Sequence, residues 1–185
     1  MSVELPEAHI LAEQMNEELR GKQIQTNQLQ NYEKLQRIGF INRDISAFNQ
    51  LNDGIIESVL SRGNVIRVKL DNGWNLILGP EYGGRILYQT KETLPSKINL
   101  KLCFTDKTML TVSLTGMGAI QALKDSELGN SYVYKRDFSA KASPLDETEF
   151  TFDRFSRELS DKNVNIKVAL VGKDAVVVGL SNSAF

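Results

Sequence analysis

Apolar residues near the start of the chain recur at helical spacing. Ile10, Leu11, Met15 and Leu19 form a stripe, with Glu13, Glu17 and Glu18 lying off it. This predicts an amphipathic helix from Pro6 to Leu19. Glu7 sits near its start, where the helix dipole favours a carboxylate, and Gly21 is the expected stop. Residues 24–52 are rich in Gln and Asn and weakly periodic, so short strands and loops are expected there. From Ile55 the period changes to two. Ile55 to Val59 opens a strand-rich run, and Val65 to Leu70 alternates strictly. Asp71-Asn72-Gly73 is a tight hairpin signal, because Asn and Gly accept positive φ, and Trp74 to Leu78 returns as the partner strand. Gly79 to Gly84 reads as a loop, and Arg85 to Gln89 as a strand. Leu100 to Phe104, a turn at Asp106-Lys107, and Met109 to Leu114 form a second hairpin, broken by Thr115-Gly116-Met117-Gly118.

Beyond the hairpins the character of the chain alters. Asn130 to Ser143 is polar and aromatic and reads as irregular. Asp146 to Leu159 reads as a helix with a Phe152, Phe155 and Leu159 stripe expected to be core, and Ile166 to Val171 as a second short helix, ambiguous with strand. The expected fold class is α+β. Several short strands at hairpin spacing favour an antiparallel sandwich or barrel between the N-terminal helix and the later helices, with a boundary near residues 140–147.

Composition narrows the picture without deciding it. The chain has 185 residues, 41% apolar and 24% charged, as a globular protein does. No stretch approaches the ~20 apolar residues of a membrane-spanning helix, and the N-terminus lacks the order of a secretion signal. The lone Cys103 cannot form an internal disulfide, which points to an intracellular protein. With one Cys and one His, a structural zinc site is not expected. The net charge of −1 does not suggest nucleic acid. Its distribution is uneven, however: residues 1–60 hold 5 basic and 9 acidic groups, and residues 61–185 hold 17 and 14. An anion-binding surface is therefore expected in the second part.

Four sequence words then stand out in order: Glu4-Leu5-Pro6-Glu7 before the helix and Gly21-Lys22; Ser61-Arg62-Gly63-Asn64 before Val65 to Gly73; Leu76-Ile77-Leu78 through Gly84-Arg85; and Asn163-Val164-Asn165-Ile166-Lys167 followed by Gly179-Leu180-Ser181-Asn182. With these the chain resembles the formamidopyrimidine-DNA glycosylase and endonuclease VIII family of base-excision repair enzymes. The resemblance implies an N-terminal helix on an antiparallel two-layer β-sandwich over residues 1–140, followed over residues 145–185 by the start of a helix–two-turn–helix module, with damaged double-stranded DNA bound between them. Family members continue into further helices and often a zinc finger. The expectation is therefore a fragment or truncated relative, with no cofactor and an incomplete helical module.

The resemblance also implies a chemistry. In the family an N-terminal proline amine attacks the sugar C1′ and forms a Schiff base, the next residue, a glutamate, handles protons, and a lysine on a β-hairpin loop assists. Glu4 matches the glutamate, whereas Val3 stands at the proline position and Asn64 at the lysine position. Removal of Met1 would free the Ser2 amine, displaced by roughly 3.5 Å along the chain, more than near-attack geometry allows. Glu4, Ser2 and Glu7 are the catalytic candidates. The family's base-displacing wedge maps onto Tyr82, Gly116 and Met117, and its phosphate contacts onto Asn165, Lys167 and Asn182. The DNA-binding candidates are accordingly Asn64, Tyr82, Arg85, Met117, Lys167 and Asn182.

Each candidate has a plainer reading. Glu4 is equally a helix-terminal charge, Glu7 a capping residue, His9 a surface residue, and Arg62 and Arg85 members of surface ion pairs. Cys103 and Trp74 read as sheet and packing residues. Three functions remain open: a DNA glycosylase and abasic-site lyase with lost or altered chemistry, a non-catalytic DNA-binding relative, and a β-sandwich that binds proteins.

Overall fold

The structure, a computed structural model, describes residues 3–80, 83–90, 95–139, 142–171 and 175–180. It has the expected α+β architecture. Helix α1 (Leu5–Leu19) opens the chain. Strands β1 (Ile24–Leu29), β6 (Leu100–Phe104), β7 (Met109–Ser113) and β5 (Arg85–Gln89) form one sheet in that spatial order. Strands β2 (Ile56–Arg62), β3 (Val65–Leu70), β4 (Trp74–Gly79) and β8 (Ala119–Lys124) form the other. Every pairing between these eight strands is antiparallel.

The inner faces of the two sheets meet in one core. Ile66, Val68, Leu70, Leu76 and Leu78 from one sheet face Leu100, Leu102, Phe104, Leu110 and Val112 from the other. Each such side chain contributes about 1.5–3 kcal/mol by leaving water, so the sandwich carries most of the hydrophobic stabilisation. A smaller cluster of Val65, Ile77, Ala119, Leu128 and Val133 closes the outer face of the second sheet.

Helix α1 lies where the sequence places it, but its buried face is rotated. The buried line is Leu5, Ala8, Ala12, Met15 and Leu19, while Ile10 is 54% exposed and Leu11 half-buried. The two alanines let the helix approach β2 closely, and the Asn16 side chain accepts a hydrogen bond from the Val59 amide at 2.9 Å. Gly21, at φ +81°, ends the helix as expected and turns the chain into β1.

Residues 24–52 hold two short helical pieces that the Gln/Asn-rich sequence conceals: α2 (Glu33–Arg37) and a 3₁₀ turn, Ile45–Leu51. Between them Ile41 bridges Ile120, and the Asn42 amide brackets both backbone groups of Ala122, at 2.9 and 2.7 Å. The exposed edge of β8 is thereby satisfied and covered. Strand β8 itself is not signalled, because Ala, Gln, Leu and Lys are helix formers and only Ile120 is β-branched.

After β8 the chain forms a 3₁₀ turn (Asp125–Asn130), a single helical turn α3 (Tyr132–Tyr134) and a π-helical turn (Lys135–Ser139), in a stretch expected to be irregular. The next helix, α4, spans Phe152–Ser160 and starts six residues later than expected. Asp146 instead closes a turn on the Thr148 and Glu149 amides, and these bonds hold its carboxyl below the ordinary range, the Thr148 hydroxyl contributing most. Thr151 caps α4, its hydroxyl accepting from the Arg154 amide at 3.2 Å. The expected Phe152, Phe155 and Leu159 core stripe is not buried: Phe152 is 80% exposed and α4 has no buried residue. Helix α5 spans Ile166–Val171, as expected.

Candidate nucleic-acid interface

Strand direction alone gathers the sequence words. β2 runs into β3 through the two-residue loop Gly63-Asn64, with Arg62 paired to Val65. Ile66 pairs with Leu78, so β4 ends beside this loop. Gly79 pairs with Ala119 and Arg85 with Ser113, so the connections after β4 and β7 emerge at the same end. The hairpin tip, the loop before Arg85 and the Thr115–Gly118 loop therefore share one end of the sandwich. Thr115 joins the last two, its hydroxyl donating to the Gly83 carbonyl at 3.2 Å.

The start of α1 reaches this end through a distant residue. The Leu5 amide donates to the Gly179 carbonyl at 2.7 Å. Gly179 has φ +81°, and a Cβ built there would lie 2.7 Å from the Asn64 amide nitrogen. Only a glycine permits that conformation and that approach without strain. Ala175 to Val178 are buried and lead into it. Residues 5, 63–64 and 179 are thus neighbours in space, although they span almost the whole chain.

Glu4 takes the N-cap position in an extended conformation and shares a capping box with Glu7. The Glu4 amide donates to the Glu7 carboxylate at 3.2 Å. Glu7 thus has the capping role that its plainer reading assigns. Glu4 is half-buried, at the junction with Gly179.

The hairpin tip is gripped from the π-helical turn. Asp137 is 1% exposed and accepts from the Asn64 amide at 3.1 Å. Arg136 pairs with Asp137 through Nε at 2.5 Å and donates from Nη2 to the Asn64 side-chain oxygen at 2.8 Å. Gly63, at φ +56°, has its α-carbon against the Asp137 carboxylate, leaving no room for a side chain. Arg62 donates to the Phe138 carbonyl at 3.1 Å and forms an ion pair with Glu149. Arg62 is therefore committed to a structural pair. Neither Arg136 nor Asp137 stands out in the sequence, because residues 130–143 show no period and the pair acts through tertiary contact.

The remaining candidates are placed as follows. Arg85 is exposed at the first position of β5, at the same end, and makes no ion pair with the described residues. Met117 is 48% exposed in the adjoining loop. Lys167 is exposed on the first turn of α5, whose start is capped by the Asn165 side chain accepting from the Val168 amide at 3.0 Å. Ser2, Tyr82 and Asn182 lie outside the described residues. His9 pairs with Glu13 on the α1 surface, 3.5 Å away. Among the described residues no cluster of three or more His, Cys, Asp or Glu could hold a metal ion, and no helix is long and apolar enough to cross a membrane.

Known proteins with this fold are found by structure. MutM in complex with DNA containing carbocyclic 8-oxo-G matches with a TM-score of 0.77 at 19% identity, covering 97% of this chain and 65% of that one. Lactococcus lactis formamidopyrimidine-DNA glycosylase, non-covalently bound to DNA containing an AP site, matches with a TM-score of 0.77 at 19% identity, over 97% and 64%. The MutM (Fpg) protein of Thermus thermophilus matches with a TM-score of 0.74 at 16% identity, over 97% and 60%. This chain thus spans just under two thirds of the length of these structures. A sequence search of curated proteins gives no match. The family profile of the formamidopyrimidine-DNA glycosylase N-terminal domain matches residues 3–115, from the residue before Glu4 to the Thr115 loop, and with that match over more than half its length the chain belongs to the formamidopyrimidine-DNA glycosylase family.

Proposed function

We propose that the end of the sandwich carrying Glu4, Asn64, Arg85 and Met117 contacts damaged duplex DNA, and that the protein binds it without the proline Schiff-base chemistry of the family. The observation that carries the first half is the convergence on Gly179. The Leu5 amide bonds to its carbonyl, and its α-carbon lies against Gly63 and Asn64, so three family words meet at one surface. Arg85, an exposed cation at the same end, suits the phosphate backbone. Three structures in the same fold hold lesion-containing or abasic DNA, which supports that partner for this chain.

The second half rests on Val3. A covalent amine nucleophile needs a free lone pair. The nitrogen of Val3 is a peptide amide, its lone pair delocalised into the carbonyl, and the Val3 side chain packs against the sandwich core. Asn64 puts a neutral amide where the family puts an ammonium group. Glu4 is kept, while the proline and the lysine that act with its counterpart in the family are both replaced. DNA binding in which Lys167 and Asn182 add phosphate contacts is the reading that keeps the shared scaffold and explains the substituted positions.

The test is borohydride trapping with abasic-site and 8-oxoguanine duplexes, alongside binding at two salt concentrations. No covalent adduct is expected. Binding to the abasic duplex should strengthen steeply at low salt, as phosphate contacts require. A trapped adduct would overturn the non-covalent reading, and absence of binding at low salt would overturn the DNA reading.

A further inference from the structure

The tip of the β2–β3 hairpin carries a small polar device that joins Asn64 to two residues outside the sequence words, Arg136 and Asp137. Asn64 is half-buried, and its side-chain oxygen accepts from Arg136 Nη2 at 2.8 Å. A guanidinium only donates, so the carboxamide must turn its oxygen toward Arg136 and its nitrogen away. The orientation of the Asn64 amide is thereby fixed. Its Nδ2 donors have no hydrogen-bond partner among the described residues. Arg136 is itself held by Asp137, at 2.5 Å through Nε. Asp137 is 1% exposed and also takes the Asn64 backbone amide at 3.1 Å. One buried carboxylate thus fixes both the backbone of Asn64 and the cation that orients its side chain.

We propose that Arg136 is a positioning residue for Asn64, and that the Asn64 carboxamide nitrogen is the hydrogen-bond donor this hairpin presents to an acceptor on the bound DNA. The inference rests on the DNA-binding reading above. It assigns the donor to a neutral, oriented amide. Arg136 acts through Asn64, and its own charge is directed to Asp137. The arrangement suits a directional acceptor, a phosphate or base-edge oxygen, because an amide with one fixed plane discriminates angle more sharply than a rotating ammonium group.

The experiment is a double-mutant cycle on affinity for an abasic-site duplex, with the salt dependence measured for each protein. Asn64→Ala should weaken binding by roughly 10-fold, as loss of a hydrogen bond to an ionised or strongly polar acceptor does. Arg136→Met should weaken it by a similar factor, and the double variant no further. The salt slope should be unchanged by Arg136→Met, whereas a residue on a phosphate would lower it by about one. Asn64→Asp keeps an acceptor for Arg136 and leaves the fold intact but has no donor, so it should lose binding at least as fully as Asn64→Ala. If Arg136→Met does not fold, Arg136→Lys takes its place with the same expectation, because it keeps the charge beside Asp137 but lacks the fork to Asn64. A readout free of DNA accompanies these: the Asn64 side-chain amide resonances should shift in the Arg136 variant. Additive effects, a reduced salt slope, wild-type affinity in Asn64→Asp, or unmoved Asn64 resonances would each overturn the inference. A wild-type protein that binds no duplex, while its Asn64 resonances do respond to the Arg136 variant, would instead overturn the DNA reading and leave the positioning contact standing.

Discussion

Two glycines with the same backbone conformation separate local strain from tertiary contact. Gly21 and Gly179 both have φ +81°. A Cβ at Gly21 would meet nothing within 4 Å, whereas one at Gly179 would collide with the Gly63-Asn64 loop, 2.7 Å from the Asn64 nitrogen. Gly21→Ala should therefore cost only the conformational preference, about 1–2 kcal/mol, read from the urea unfolding midpoint. Gly179→Ala adds a collision with backbone that has no flexible end to move aside. The turn can avoid it only by lifting off the hairpin, which breaks the Leu5-to-Gly179 hydrogen bond. The expected signature is loss of protection at the Leu5 amide in hydrogen exchange, with the sandwich strands still protected. Leu5 protection equal to wild type in Gly179→Ala would show that the turn does not close the site. The sequence marks Gly179 through its family word, but nothing local reveals that its partner is Asn64, because the contact spans more than a hundred residues.

At the level of the element, legibility follows the strength of the local signal. The Val65–Leu70 strand, the Asp71–Gly73 hairpin and the second hairpin read directly, because alternation and turn chemistry agree with the tertiary environment. Strand β8 does not read, because its composition favours helix and its place is set by pairing with β4 along six residues. The position of α1 reads, but its face does not. Periodicity selects the largest apolar side chains, and Ile10 is one of them, yet close packing on β2 selects the alanines. This yields a sharp contrast in unfolding free energy. Ala12→Leu, at a site 2% exposed, should overpack the α1–β2 contact and lower stability by about 1–3 kcal/mol. Ile10→Lys, at a site 54% exposed, should stay within about 0.5 kcal/mol. The opposite ranking would restore the stripe that the sequence suggests. The candidate site divides in the same way. Glu4, Glu7 and Asn64 are legible as family words, whereas Arg136 and Asp137, which hold Asn64, are recognisable only once the π-helical turn lies against the hairpin.

Across the whole molecule the hydrophobic stabilisation is unevenly shared, and this should set its dynamics. The sandwich buries its apolar residues between two sheets. Helix α4 buries none, and α5 only Ala169. Phe152, Val164, Ile166 and Val168 are between 47% and 80% exposed in this region. A nine-residue helix has little stability of its own in water, since nucleation is unfavourable and few bonds repay it. The contacts that hold α4 include the Thr151 cap, the Arg154–Glu158 ion pair, an Arg154 bond to the Glu149 carbonyl at 3.3 Å and the Phe150–Phe155 ring contact at 5.7 Å, and a half-exposed ion pair of this kind contributes under about 1 kcal/mol. The free energy of opening α4 should therefore lie far below that of the sheets. In native-state hydrogen exchange, the amides of α4 and α5 should exchange at least roughly 10-fold sooner than those of β3, β4, β6 and β7. Phe152→Asp should leave the sandwich unfolding midpoint unchanged, because the residue is 80% exposed and adds little buried area. Adding abasic duplex discriminates further. If Lys167 contributes to binding as proposed, DNA should slow exchange in α5 as well as at the hairpin tip, by mass action on the closed form. Protection confined to the hairpin tip would place the DNA contact on the sandwich alone and remove Lys167 from the interface.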